Sequence, residues 1–366
     1  MRTDWEATLA RWTAAGLLEA GAAERIRNWE SENARTSGMR WPIWVALVFG
    51  TILLGAGVLL FVSAHWDELA QGPRMALVLL LVLVFHAAGV VVTEHFPPLS
   101  VALHTAGTVA LGAGIALAGQ IYQIEEHWPA AILLWACGAA VAWLLLRHWT
   151  QGLLAAILFP WWLAGEWVVR NPDAYILPVS AGICGLSFTY LTARRAASDS
   201  LFRKGLGWLG CIALLPSASL LASEHWLKSA TFASGAVGWT VALLGPLAVA
   251  ALLRGREAIW NATALAWIAV LAAINQGGVD SVLVYIWCAV GAVNLVVWGL
   301  RDGRSERVNL GIAGFALTVL VFYFSSVMDR LGRSVSLIVL GLLFLGGGWL
   351  LERTRRRLIA RIRGAA

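Results

Sequence analysis

Apolar residues run along this chain in blocks of about twenty, from Trp41 to Leu351, each closed by a short polar or glycine- and proline-marked break. A helix of about that length crosses the hydrocarbon core of a bilayer. Backbone amides in lipid must be satisfied within the segment, and the blocks lack the long apolar–polar alternation of barrel strands. The pattern therefore predicts helices. Twelve spans fit, near residues 41–64, 73–92, 98–121, 128–147, 150–169, 173–193, 204–222, 234–253, 258–275, 280–300, 306–325 and 333–351. The expected fold class is all-α, a polytopic integral membrane bundle of about twelve transmembrane helices over residues 41–351.

Residues 1–40 read differently. Trp5, Leu9 and Trp12 recur at helical spacing, Ala14-Ala15-Gly16 interrupts, and Leu17, Leu18, Ile26 and Trp29 resume around Gly21. A helical hairpin is predicted there, either a packing cap on the bundle or a docking module for a cytoplasmic protein partner. The segment has no apolar h-region, so a cleaved signal peptide is not expected. Residues 352–366 form a basic tail, with six Arg from Arg353 to Arg363. Such a tail lies against anionic headgroups at about 1 kcal/mol per basic residue.

Charge fixes the expected orientation. Counting alternate connections places 22 of the 27 Lys and Arg on one side and 5 on the other. The richer side is the cytoplasmic one, so both termini are expected in the cytoplasm, in a bacterial inner membrane. Composition agrees: 59% of the 366 residues are hydrophobic, 13% are charged, and mean hydropathy is +0.73. The net charge of +6 is spread over loops and is nearly all Arg, with Lys only at Lys204 and Lys228, which gives no sign of nucleic-acid binding. Membrane lipids are the expected surroundings. Cys137, Cys184, Cys211 and Cys288 all fall inside spans without a CxxC pair, which points away from disulfides or zinc.

A faint internal correspondence divides the bundle into halves 41–193 and 204–351. Leu60 to Trp66 ends in Ser63-Ala64-His65-Trp66, and Leu220 to Trp226 ends in Ser223-Glu224-His225-Trp226, at a constant separation of 160 residues. Trp135-Ala136-Cys137 and Trp287-Cys288 stand in similar places. Six intervening helices preserve orientation, so this would be a parallel six-plus-six repeat.

The pieces Phe61 to Leu69 and Gly119-Gln120-Ile121-Tyr122-Gln123-Ile124, with Gly16-Leu17-Leu18 and Ile26, resemble the bacterial membrane proteins grouped as domain of unknown function 2157, over about residues 1–150. The resemblance implies an integral membrane location and no particular reaction. His65 stands where that family more usually has Asn, so the resemblance assigns it no role.

Several polar groups are candidates for chemistry. His65, His127 and His225 each precede a Trp and are expected on the outer rim, beside Asp67, Glu68, Glu125, Glu126 and Glu224. Imidazoles with carboxylates bind transition metals or relay protons. The alternative is Trp anchoring at the headgroup level, which His148-Trp149 on the opposite side favours. His86 and His104 lie deeper, where an ionisable group is costly and faces protein or water. They suit a metal, a b-type haem or a proton relay if their depths match, with His86 expected nearer the outer half. Otherwise they serve as hydrogen-bonding partners of Thr105 or Thr108. Gln120, Tyr122 and Gln123 with Glu125 and Glu126, matched by Asn275 and Gln276, would line a vestibule or cap helix ends. Pro160, Pro178, Pro216 and Pro246 permit kinks. No hydrolase triad, HExxH or GxxxxGK motif is present.

The leading functional expectation is a transporter-like or lipid- or small-solute-binding bundle with an extracytoplasmic vestibule. A metal- or haem-dependent intramembrane enzyme or redox protein is one alternative, and a scaffold or sensor with a docking hairpin is another. No cofactor is assigned, and an enzyme is not the favoured reading.

Overall fold

The computed structural model describes residues 9, 11–37, 70–122, 127–171, 177–194, 198–223, 236–276 and 281–327, with isolated positions before 70 and after 340. Every regular element among these residues is a helix, with no strand among them. The elements are α1 (Ala20–Ser37), α2 (Gln71–Val92), α3 (Pro97–Tyr122), α4 (Trp128–Leu146), α5 (Trp149–Arg170), α6 (Leu177–Thr192), α7 (Leu201–Ala222), α8 (Ala236–Arg254), α9 (Ile259–Gln276), α10 (Ser281–Arg301) and α11 (Ser305–Phe322). A single π-turn, Tyr323–Val327, follows α11.

Eight helical segments among the described residues are long and apolar enough to cross a membrane. One of them is the continuous run Ala236–Asn275. Gly255, at φ +60, breaks this run, and a 3-10 turn over Gly255–Ala258 separates α8 from α9. Only glycine adopts that left-handed conformation without a Cβ penalty. A helix of 22 residues such as α2 is about 33 Å long, enough for a core of about 30 Å. The expected first and twelfth spans, 41–64 and 333–351, lie outside the described residues apart from isolated positions.

The chain forms two compact units, residues 1–126 with 137–151, and residues 127–136 with 152–366. In the first, a helical turn over 11–14 closes at Gly16, φ +69. The Leu17 N–H donates to the Trp12 carbonyl and the Gly16 N–H to that of Thr13, the paired bonds of a glycine-terminated helix end, and α1 follows. α2 and α3 pack as an antiparallel hairpin. Its turn is tied where the Thr93 hydroxyl donates to the Gly89 carbonyl at 2.8 Å and lies 2.8 Å from Ser100 Oγ. Pro97, at the start of α3, suits a position whose N–H has no intrahelical partner.

The second unit is built around α6. At 16 residues, about 24 Å, it is shorter than the other spans, and eleven of its residues are buried. It contacts α7, α8 and α9. Ser187, Thr189 and Thr192 return their hydroxyls to carbonyls four residues back, which satisfies them inside protein. Close approach comes from missing side chains. A Cβ on Gly210 of α7 would sit 2.2 Å from the Leu191 backbone nitrogen and 2.5 Å from the Ser187 carbonyl oxygen. α10 and α11 pack likewise, with Gly311 against the Ala292 carbonyl. In lipid, such backbone proximity replaces the hydrophobic drive that holds soluble bundles together.

One proline break in this unit is repaired by a side chain. Pro160 deprives the Ala156 carbonyl of its intrahelical N–H donor, and the Tyr190 hydroxyl of α6 donates to that oxygen at 2.7 Å. Thr189 donates to the Pro246 carbonyl at 3.2 Å, a side-chain tie between α6 and α8.

Candidate functional site

The second unit contains a cavity of about 460 Å³ among α6, α7, α9, α10 and α11. Its wall is mostly apolar, with Phe188, Leu214, Leu295 and Leu317 among the lining residues. The lining on α11 and the turn after it runs from Leu310 to Ser325, about 22 Å along the axis. That volume over that length makes a narrow slot. Hydroxyls gather at one end: Ser223 caps α7, Tyr285 opens α10, and Ser325 follows α11, with Tyr285 Oη and Ser325 Oγ 2.8 Å apart. One wall is fixed by a reciprocal pair, the Trp267 indole donating to the Trp287 carbonyl at 2.9 Å and the Trp287 indole to the Trp267 carbonyl at 3.0 Å. Gly291 leaves room for the Trp267 ring, which a Cβ would meet at 2.4 Å.

A second polar site lies in the first unit. His86 Nδ1 of α2 and His104 Nδ1 of α3 are 3.0 Å apart, a hydrogen bond between imidazoles. The two rings are therefore at the same depth, near the α2–α3 turn, and not in different halves of the membrane as the expectation for His86 had it. Each ring rests on a glycine of the opposite helix. A Cβ on Gly89 would meet His104 Nε2 at 2.8 Å, and one on Gly107 would meet His86 Cε1 at 3.0 Å. His104 is 2% exposed and belongs to a buried polar stripe with Ser100 and Thr108. Its carbonyl accepts from Thr108 Oγ1 and from the buried Gln151 amide at 3.0 Å. Thr105 turns elsewhere, donating to Thr150. Thr105 thus bonds backbone and a second threonine, and Thr108 bonds the His104 backbone carbonyl.

His148 joins this pair. Its ring centroid is 5.3 Å from that of His104, and its buried Nδ1 has no hydrogen-bond partner. It lies outside the spans, between α4 and α5, where burial pushes its imidazole down from the ordinary value of 6.5. His148 is therefore part of a cluster, not only an interfacial anchor beside Trp149. Two signals in the sequence mark the cluster. His86 and His104 each open a His-x-x-Gly run, and Ser100, His104 and Thr108 recur every four residues.

The separation of 3.0 Å does not suit a haem or metal held in line between the two nitrogens, which needs about 4 Å. Among the described residues no group of three or more His, Cys, Asp or Glu is arranged to hold a metal ion. All four cysteines are free, and Cys288 lines the cavity.

The other predicted residues are dispersed. His127 pairs with Glu166 at 2.6 Å, and Arg170 closes on the other Glu166 oxygen at 2.6 Å. Glu166 sits inside the fifth span and was not singled out from sequence; its i, i+4 spacing to Arg170 is the signal that marks it. Asn275 donates to the Leu221 carbonyl at 2.9 Å, which ties α9 to the end of α7 next to the cavity wall. Gln120 is exposed at the end of α3 in the first unit, where Tyr122 also lies, whereas Gln276 ends α9 in the second. His65, Asp67, Glu68, Gln123, Glu125, Glu126, Glu224 and His225 lie outside the described residues.

Sequence reading also missed a buried basic network at one end of the second unit. Arg254 and Arg307 are 6% and 2% exposed and flank the Trp298 ring at 5.6 and 5.3 Å. Arg307 pairs with Asp302, while Arg254 reaches Glu257 at 3.2 Å and Asn261 at 3.3 Å; Asn261 in turn donates to Thr192. The network joins the ends of α6, α8 and α10 to the starts of α9 and α11.

No curated protein and no solved structure matches the chain. Residues 10–151, which carry His86, His104, His148 and Gln151, match the family described as a predicted membrane protein, DUF2157. With eight segments able to cross a bilayer and this match over its N-terminal part, the chain is a multi-pass membrane protein similar there to DUF2157 proteins.

Proposed function

We propose that the protein binds a small amphipathic molecule within the membrane, in the cavity of its second unit. The observation that carries this reading is the shape and chemistry of that slot: about 460 Å³, mostly apolar with Ser219 and Thr318 along its wall, and with hydroxyls of Ser223, Tyr285 and Ser325 at one end. Ligand pockets of about 300–1,000 Å³ combine apolar walls with a few placed polar groups in this way. An extended hydrocarbon chain fits the long wall, and a polar head fits the hydroxyl end. The arginine distribution supports a twelve-span topology with both termini cytoplasmic, which puts the hydroxyl end on the extracytoplasmic side. A vestibule there suits uptake or release of the ligand from that face, as in a transporter-like cycle.

The test is retention and exchange of ligand by the full-length protein. A fluorescent single-chain alkyl probe should bind saturably at one site per chain, and Ala218→Phe, which fills the slot from α7, should abolish that binding while the protein stays folded. Probe binding that is equal in the two proteins, or absent from the unaltered protein, would overturn the reading.

A further inference from the structure

We propose that His86, His104 and His148 form a proton-binding relay, in which one proton is shared across the Nδ1···Nδ1 bond of the deep pair and exchanged with solution through His148. The geometry of the pair requires this economy. Two imidazoles joined through Nδ1 need one nitrogen to donate and the other to accept, so a single proton occupies the line between them. A second proton there would place two N–H groups head to head. The rings are held for this contact by reciprocal packing, with Gly89 beneath one and Gly107 beneath the other.

His148 supplies the connection outward. The α4–α5 connection is only Arg147-His148, and Arg147 adopts φ 57, a left-handed conformation uncommon for a residue with a Cβ. That turn sets the His148 ring beside His104, with a buried Nδ1 that no protein group satisfies. Three residues on, the buried Gln151 Oε1 also lacks a donor while its amide nitrogen grips the His104 carbonyl. A proton entering the cluster meets both kinds of unfilled atom. Burial lowers the affinity of His148 for a proton, so the ring passes a proton on instead of holding it.

The surrounding charges leave the cluster to set its own response. Glu94 and His95 in the α2–α3 turn, and Arg147, are exposed. Arg74 lies twelve residues from His86, about 18 Å along α2. His104 is instead met by the other two rings of the cluster, His86 through the Nδ1 bond at 3.0 Å and His148 at a centroid distance of 5.3 Å. Proton uptake balances: the neutral pair already holds the bridging proton, so a proton gained from solution fills the bare Nε2 of the donating ring, one positive charge is spread over the deep pair, and no bond between heavy atoms changes.

Histidine-labelled full-length protein in lipid nanodiscs, followed by nitrogen NMR from about pH 5 to about pH 8, tests the proposal without any substitution. A through-bond coupling between the two Nδ1 atoms and a common titration step in all three rings are expected. Absent coupling at every pH, or three rings that titrate independently, would overturn it. His148→Asn should preserve the coupling yet slow proton exchange of the pair on the order of 10²-fold; unchanged exchange with the coupling intact removes His148 from the path. Should that variant fail to fold, the measurements on the unaltered protein still decide.

Discussion

Single atoms decide much of this molecule. Gly210 has backbone, not side chain, in the place its Cβ would take, so nothing flexible can move aside. Gly210→Ala should lower stability by about 1–3 kcal/mol or more, read as a fall in the thermal midpoint of the detergent-solubilised protein. The Tyr190 hydroxyl is a milder case, since it replaces one missing N–H donor. Tyr190→Phe should cost about 0.6–2 kcal/mol in the same assay, and less in a Pro160→Ala background, where α5 supplies its own donor. His148 gives a pH dependence whose sign follows from its burial. It is held neutral in the folded protein, whereas an unfolded chain protonates it at its ordinary value of 6.5. The unfolded state binds more protons as pH falls below that value, so this contribution to stability is intact above it and declines with acidification. His148→Asn should flatten that limb of the stability–pH curve.

Among the helices, polar contacts are spent on holding pairs in register. The Trp267–Trp287 exchange fixes α9 against α10 and defines one wall of the cavity. Gly291→Ala should push the Trp267 ring from its seat and weaken alkyl-probe binding, and saturation binding on the folded variant measures the change. In the first unit, α2 and α3 meet through imidazole and glycine, each helix supplying both. α6 shows how a polar-bearing element is accommodated, buried by its neighbours with its hydroxyls turned back on its own backbone. The basic network then joins five helix ends at one face, where buried guanidinium groups share carboxylates and an indole.

For the whole chain, the arginine asymmetry predicts which connections share a side. Asp199 and Asp302 lie on connections joined by an even number of spans, and Asn171 lies on one an odd number away. Single cysteines at Asp199 and Asp302, in a background without the native four, should react with an impermeant thiol reagent only from the cytoplasmic side, and one at Asn171 only from the other. A cysteine at Asn171 that reacts from the same side as Asp302 would defeat the topology.

The apolar blocks by themselves determined the membrane class and the position of the described helices, because a bilayer demands about twenty apolar residues and internal backbone bonding wherever a chain crosses it. Those demands are local, so they are written locally. The His-x-x-Gly runs and the four-residue stripe through His104 were also open to reading, yet sequence alone placed His86 at another depth. Only packing could pair it with His104, since that contact depends on where two helices cross and on glycines that let them approach. Glu166 with His127, the Tyr190 repair of Pro160 and the slot between α7 and α11 have the same origin. Each joins residues far apart in the chain, and their meeting was decided by the tertiary structure, through the missing Cβ atoms that set how closely the helices pack.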